Sequence, residues 1–273
     1  MTHATHHSPN PSQEPEQALT RSLTAFAVPG FPLVKPGMDL ATVIADAVTT
    51  GGFRLIDGDV LVIAQKVVSK SEDCYVDLSN VRPRKRAKEL GTATGKDPRL
   101  VEVILSESRR VVRHRFGVLI VEHRLGFVLA NAGVDQSNVD PAVGSEPVLL
   151  LPKDPDESAV RLRSRLAERF KCDLAVVISD SFGRAWRLGT AGVALGAAGL
   201  PALVDLRGKP DLYDRRLRVS EVGFADEIAS AASLLMGQAD EGCPVVILRG
   251  LRWTAPTTPA SKLLRSADQD LFR

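Results

Sequence analysis

The sequence predicts a mixed α/β (α+β) fold, and three observations carry that prediction. Two runs rich in β-branched residues, 60–64 (VLVIA) and 174–178 (LAVVI), have strand length and are apolar at every position, the pattern of strands buried on both faces. Segments with apolar residues at helical spacing lie between and after them. A chain of 273 residues with 44% apolar and 25% charged residues also has the material for a sizeable core. Alternation of the two element types favours one compact unit with a subsidiary subdomain.

Residues 1–20, rich in Pro, Ser, His and Gln without periodicity, are expected to form a disordered leader. The ordered domain is expected over 21–252, followed by a C-terminal tail at 253–273. A short strand opens the domain within 23–34 and turns at Pro29-Gly30, and residues 40–48 follow as an amphipathic helix that Gly51 and Gly52 stop. Asp57-Gly58-Asp59 is a turn into strand 60–64, which delivers Gln65, Lys66, Ser69 and Lys70 to its C-terminal end. Residues 84–112 read as helical, one helix ending at Thr94-Gly95 and a second running from Pro98 through Arg110 with Val101, Ile104 and Leu105 on one face. A hairpin-like strand pair, 118–121 and 127–130, leads into the polar run 131–138. The Pro- and Asp-rich connection 151–156 precedes a basic amphipathic helix over 158–170, then strand 174–178, which ends in Ser179-Asp180-Ser181-Phe182-Gly183-Arg184. Small residues dominate 192–199 and allow close backbone packing. Residues 224–236 predict a helix with Asp226 and Glu227 favourably placed in its first turn. The loop 237–242 and a last strand over 244–248 complete the domain.

Composition excludes several classes of function. With 35 basic and 33 acidic residues the net charge is +2, too balanced for non-specific nucleic-acid binding by the whole chain. No apolar stretch is long enough to cross a bilayer and the N-terminus lacks a signal-type apolar core, so a cytoplasmic, membrane-free protein is expected. Cys74, Cys172 and Cys243 are widely spaced with no CxxC pair, which predicts reduced thiols and no thiolate zinc site. His3, His6 and His7 sit in the leader, leaving His114 and His123 for the domain, so any metal would be held mainly by oxygen, as magnesium and manganese are.

Two strand ends present such oxygens: Asp135 with Ser137 and Asn138, and Asp180 with Ser179 and Ser181. Together they would suit a hard cation that bridges phosphate oxygens. The plainer account makes Asp135 a turn cap and Asp180 a helix N-cap, and spacing does not decide between them. Arg184 and Arg187 would share one face of a helix starting after Asp180, a fork suited to phosphate or carboxylate or else simply solvated. Lys66 and Lys70 could meet a nucleotide phosphate, and the loop from Gly237 to Gly242 could approach a ligand or serve as a C-cap. No GxxxxGK[ST] or strand-linked GxGxxG motif is present. The basic cluster Arg82, Arg84, Lys85, Arg86 and Lys88 reads as a solvated helix face, with an anion- or RNA-binding surface as the rival.

In order and content these segments resemble the coenzyme F420-0:L-glutamate ligases, also called F420-0 γ-glutamyl ligases. The resemblance is carried by residues 30–37 (GFPLVKPG), 58–70 (GDVLVIAQKVVSK), 131–138 (NAGVDQSN), 179–187 (SDSFGRAWR) and 225–237 with Pro244, and it spans about residue 24 to residue 251. It implies a GTP-dependent ligase that joins L-glutamate to the terminal carboxylate of F420-0 through an acyl phosphate, releases GDP and phosphate, and extends the product with further γ-linked glutamates. A divalent cation, Mg2+ or Mn2+, and a stimulating K+ go with that activity. Residue by residue, the resemblance makes Asp135, Asp180, Ser181 and Gln238 metal ligands. Such a reaction asks for charge neutralisation and alignment, which Lys70 and Arg184 fit, and Lys70, Arg184 and Arg187 are the expected catalytic residues. Phe31, Pro32, Leu33, Val34, Gln65, Lys70 and Asn138 border the GTP, with Gly237, Gln238, Ala239, Asp240, Glu241, Gly242, Cys243 and Pro244 closing over it. Two positions depart from the family pattern: Ser181 stands where Thr is common and Gln238 where Glu is frequent. The family fold pairs as an intertwined homodimer, which is expected here, and the flavin-reductase-like second domain of some relatives is not expected. A ligase of the same scaffold acting on another carboxylate or amino acid is the alternative.

Overall fold

The computed structural model describes residues 22–271, so the leader expected over 1–20 lies outside the described residues. β1 (Thr24–Ala27) opens the domain and is shorter than the stretch 23–34, because Pro29 and Pro32 remove ladder donors and Gly30 turns the chain at φ +64°. α1 (Leu40–Thr50) follows, burying Leu40, Ile44, Ala45 and Val48. β2 (Val60–Ala64) runs into α2 (Gln65–Ser71) without a loop, Ala64 being extended and Gln65 already helical. After β3 (Tyr75–Asp77), α3 (Lys85–Thr94) and α4 (Pro98–Ser106), the structure departs from the sequence reading. The chain does not stay helical to Arg110: residues 108–115 form β4 (Ser108–Arg115), paired antiparallel with β5 (Val118–His123), which pairs in turn with β6 (Val128–Ala130). The β-branched Val111 and Val112 gain more from that pairing than from another helical turn.

β7 (Pro147–Leu149) pairs with β3. α5 (Pro155–Phe170) begins earlier than expected, with Pro155 in its first turn and the Asp154 carboxylate accepting the Glu157 N–H at 2.9 Å. β8 (Ala175–Arg184) and β9 (Arg187–Ala198) form a long hairpin, so no helix starts after Asp180 and the small residues 192–198 lie in a strand. β10 (Val204–Asp205) and β11 (Glu221–Val222) make a small ribbon before α6 (Phe224–Met236) and β12 (Val245–Arg249). Residues 253–271 are docked on the domain: Ala260 is buried and its N–H, like that of Ser261, reaches Asp156.

The principal sheet has the order β1-β12-β2-β8-β9, parallel only between β2 and β8. Alternation along its strands fills two layers. Leu61, Ile63, Val176, Ile178, Val245 and Ile247 face α1 and α5, whereas Val60, Val62, Val177, Val246 and Leu248 face the Ala225, Ile228, Ala229 and Ala232 stripe of α6. A smaller layer packs Leu119 and Val121 of β5 on Leu100, Val101, Val103 and Ile104 of α4. This is the mixed α/β architecture with a subsidiary unit.

An irregularity between the Ile178–Gly196 and Ser179–Ala194 pairs changes which side of β9 faces each helix. A Cβ on Gly192 would lie 2.3 Å from Ala229 O of α6, and one on Gly196 would lie 2.1 Å from Pro155 O of α5. Only glycine lets both helices approach that closely. The neighbouring β9 amides of Ala194 and Ala197 donate to Asp226 and Asp156, each at 2.9 Å.

Candidate functional site

The two parallel strands end side by side, and a cavity of about 560 Å3 opens beyond their C-terminal ends, where open α/β sheets place ligands. Its walls come from separate parts of the chain. Phe31, Pro32, Leu33 and Val34 enter from the loop after β1, Gln65, Lys66 and Lys70 from α2, Asn138 to Pro141 from the loop after β6, and Ser179, Asp180 and Ser181 from β8. Met236 and the stretch from Gly237 to Pro244 close the remaining side. Every residue expected at the GTP site is in this lining, as are Asp180, Ser181 and Gln238.

Asp135 stands beside it, joined to the wall through Lys66. The Lys66 ammonium lies 2.6 Å from Asp135 Oδ2 and donates to Ser137 Oγ at 3.2 Å. Asp135 Oδ1 accepts the Ser137 N–H at 2.9 Å and hydroxyl at 2.7 Å. Burial works to raise this carboxyl, but the bonds from Lys66 and Ser137 outweigh it and hold the group below its ordinary value. Asp180 behaves oppositely. Burial pushes its carboxyl up to about 6, against the Ser181 N–H at 2.8 Å and the Lys66 ammonium, while the Asp135 charge pushes it further up. Lys70 is lowered, first by burial and then by repulsion from Lys66. The two carboxylates and two ammonium groups therefore act on one another across a single site.

The Asp180 carboxylate and Ser181 hydroxyl in the lining, and the Asp135 carboxylate beside it, are oxygen donors of the kind that would suit magnesium or manganese. Among the described residues no three His, Cys, Asp or Glu side chains cluster as a cage, so water and substrate oxygens would complete the shell. The closing stretch is held from both sides. Asn138, at φ +53°, donates its side-chain N–H to Ala239 O at 3.1 Å, and the Glu241 carboxylate accepts the Ala239 N–H at 2.8 Å. The Ala64 N–H donates to Pro244 O at 2.8 Å, which ties the same stretch to the end of β2.

Arg184 and Arg187 are elsewhere. They face each other across the β8–β9 turn, exposed, with Trp186 at φ +65° between them, and neither lines the cavity. The helical face expected for them does not form because the chain turns back as a hairpin. Lys66 is the residue the sequence reading undervalued. It appeared there as one of two lysines past a buried strand, and only the fold brings it to Asp135, 69 positions further on. Asp140 also lines the cavity and carried no sequence signal beyond a polar loop. Among the described residues no helix is long and apolar enough to cross a membrane.

Comparison with known proteins places this geometry. Residues 30–250 match the family model F420-0:Gamma-glutamyl ligase, which takes in every wall of the cavity. The chain is 45% identical to the coenzyme F420:L-glutamate ligase of Methanothermobacter thermautotrophicus, over 92% of this chain and 99% of that protein. Identity is 48% to the enzyme of that name from Methanopyrus kandleri, over 88% and 93%, and 38% to that from Halobacterium salinarum, over 91% and 95%. The chain is therefore a ligase and belongs to the F420-0:gamma-glutamyl ligase family.

Proposed function

We propose that the chain joins L-glutamate to the terminal carboxylate of F420-0, driven by GTP and dependent on a divalent cation. The observation that carries this reading is the Lys66–Asp135 ion pair at the wall of a cavity that Lys66 and Asp180 both line, beyond the ends of the parallel strands and large enough for a nucleotide. The names of the relatives support the acceptor and the amino acid.

A carboxylate is a poor electrophile, so the reaction needs two displacements. The acceptor carboxylate attacks the γ-phosphorus of GTP, the bond to the bridging oxygen breaks, and GDP leaves as an acyl phosphate forms. The amine of glutamate then attacks the acyl carbon, the carbon–oxygen bond to phosphate breaks, and an amide and phosphate result, with the amine proton passing to solvent or phosphate. Neither step needs a protein nucleophile; both need alignment and neutralised charge. Lys70 supplies a half-buried positive charge in the wall, and the stretch from Gly237 to Pro244 lines the remaining side of the cavity. Asp135, Asp180, Ser181 and Gln238 would hold magnesium or manganese, which would supply Lewis-acid neutralisation of phosphate charge. Arg184 and Arg187 take no step in this chain's own cavity.

The reading includes a homodimer. The β8–β9 tip exposes Trp186 and Leu188, the latter 99% accessible, and the excursion between β10 and β11 exposes Leu212, Tyr213 and Val219. Large apolar side chains left this exposed on two segments support a covered surface.

Mass spectrometry of F420-0 incubated with the protein, GTP, Mn2+ and L-glutamate tests the activity, each component being omitted in turn. A glutamate mass increment that requires all four is expected. Asp135→Ala and Asp180→Ala should each lower turnover by about a thousandfold or more while the fold persists. Full turnover in both variants would remove the metal assignment.

A further inference from the structure

Lys66 does something that the reaction does not require of it. Ion pairs on a surface contribute little, but this one lies at the cavity wall with both side chains about two-thirds or more covered, and Asp135 devotes to it the one oxygen that Ser137 leaves free. Lys66, from α2, and Asp180, from β8, line the same cavity. Two carboxylates facing one site repel each other and lose hydration, so the folded chain needs a cation there whether or not substrate is present. An ammonium and a divalent ion cannot both contact Asp135 Oδ2 at bonding distance without strong repulsion.

We propose that Lys66 is the resident counter-ion of the Asp135–Asp180 pair, and that its ammonium must leave Asp135 before a divalent cation binds, turning instead to a phosphate oxygen of the nucleotide. The inference rests on the reading of those two aspartates as metal ligands. It makes Lys66 a positioning residue with a selective effect. Bare metal must evict an ammonium that then loses its paired carboxylate, whereas metal arriving with a nucleotide offers a phosphate in its place. Each ligand therefore tightens the other through one side chain, and the coupling is reciprocal.

The test is the affinity of the full-length protein for Mn2+, read by electron paramagnetic resonance of free Mn2+ at fixed pH and ionic strength, with and without GTP. Lys66→Met should bind Mn2+ alone about tenfold tighter than the wild type and show a smaller enhancement by GTP. Lys66→Arg keeps the charge and should stay near wild type. A merely structural role predicts the opposite, weaker binding in Lys66→Met. Unchanged or weaker Mn2+ binding by Lys66→Met, or equal tightening by Lys66→Arg, overturns the proposal. Should Lys66→Met fail to fold by its thermal transition, Lys66→Gln takes its place with the same expectations. Asp180→Asn separates the two levels. Loss of Mn2+ in that variant, beside unchanged binding in Lys66→Met, sinks only the role of Lys66. No Mn2+ binding by the wild type with GTP sinks the metal reading and this inference together.

Discussion

Asp77 shows how one half-buried side chain can shape a site it does not touch. Its carboxylate accepts N–H groups from Ser79 and Ser145 at 2.9 Å each and from Glu146 at 3.2 Å, pinning the far end of the loop that carries Asn138 and Asp140 to the cavity. These bonds, Ser79 foremost, hold the group down to about 2. A carboxyl lowered on folding stabilises the native state above its unfolded value near 4, and that contribution is lost as pH falls towards 2. Asp77→Ala should therefore melt below the wild type at pH 7, with the gap closing between pH 4 and pH 2. Thermal unfolding across that range checks it, and a gap independent of pH would show that the carboxylate charge is not what pins the loop.

At the scale of elements, the β8–β9 hairpin decides where Asp180 points and how tightly two helices cover the sheet. Gly192→Ala places a methyl 2.3 Å from the Ala229 carbonyl, helix backbone that cannot rotate away, and should cost about 3 kcal/mol in urea unfolding. Gly183→Ala, with nothing within 4 Å of the new carbon, should be close to neutral. The hairpin also marks the limit of what the sequence displays. Strand β2 and the first part of β8, residues 175–178, are legible because burial on both faces leaves no polar residue in them. The turn is not legible: its central residues are Ala185 and Trp186, and Trp186 takes φ +65° without the Asn-Gly or Asp-Gly signal that announces a tight hairpin. β4 is hidden for another reason. A largely exposed strand whose Arg and Val residues come in pairs (SRRVVRHR), with no strict alternation, has no period-two signal to separate it from the helix that runs into it. Asp226 was legible as a helix-dipole partner, but its bond to the Ala194 amide depends on a strand irregularity that only pairing creates.

For the whole molecule, the aspartates were legible one at a time and their assembly was not. Asp135 and Asp180 each sit in a polar run at a strand end, yet their shared Lys66 is separated from both by whole elements. The homodimer reading belongs to this scale too. Light scattering of the purified protein should give twice the chain mass, and Leu188→Asp should shift it towards the monomer. A monomeric wild type would leave the exposed hairpin needing another explanation.

Strand order has a last consequence, in time rather than space. β12 lies between β1 and β2, so a chain emerging from the ribosome has made both of those strands long before the one that joins them. Among the described strands β1 pairs with no other, and its partner follows only after more than 200 residues of synthesis. Contacts so distant in sequence close slowly. The last strand to appear therefore seals the sheet, and with it the carboxyl ends of β2 and β8 acquire their closing segment. A nascent chain has almost every residue of the site before it has a site.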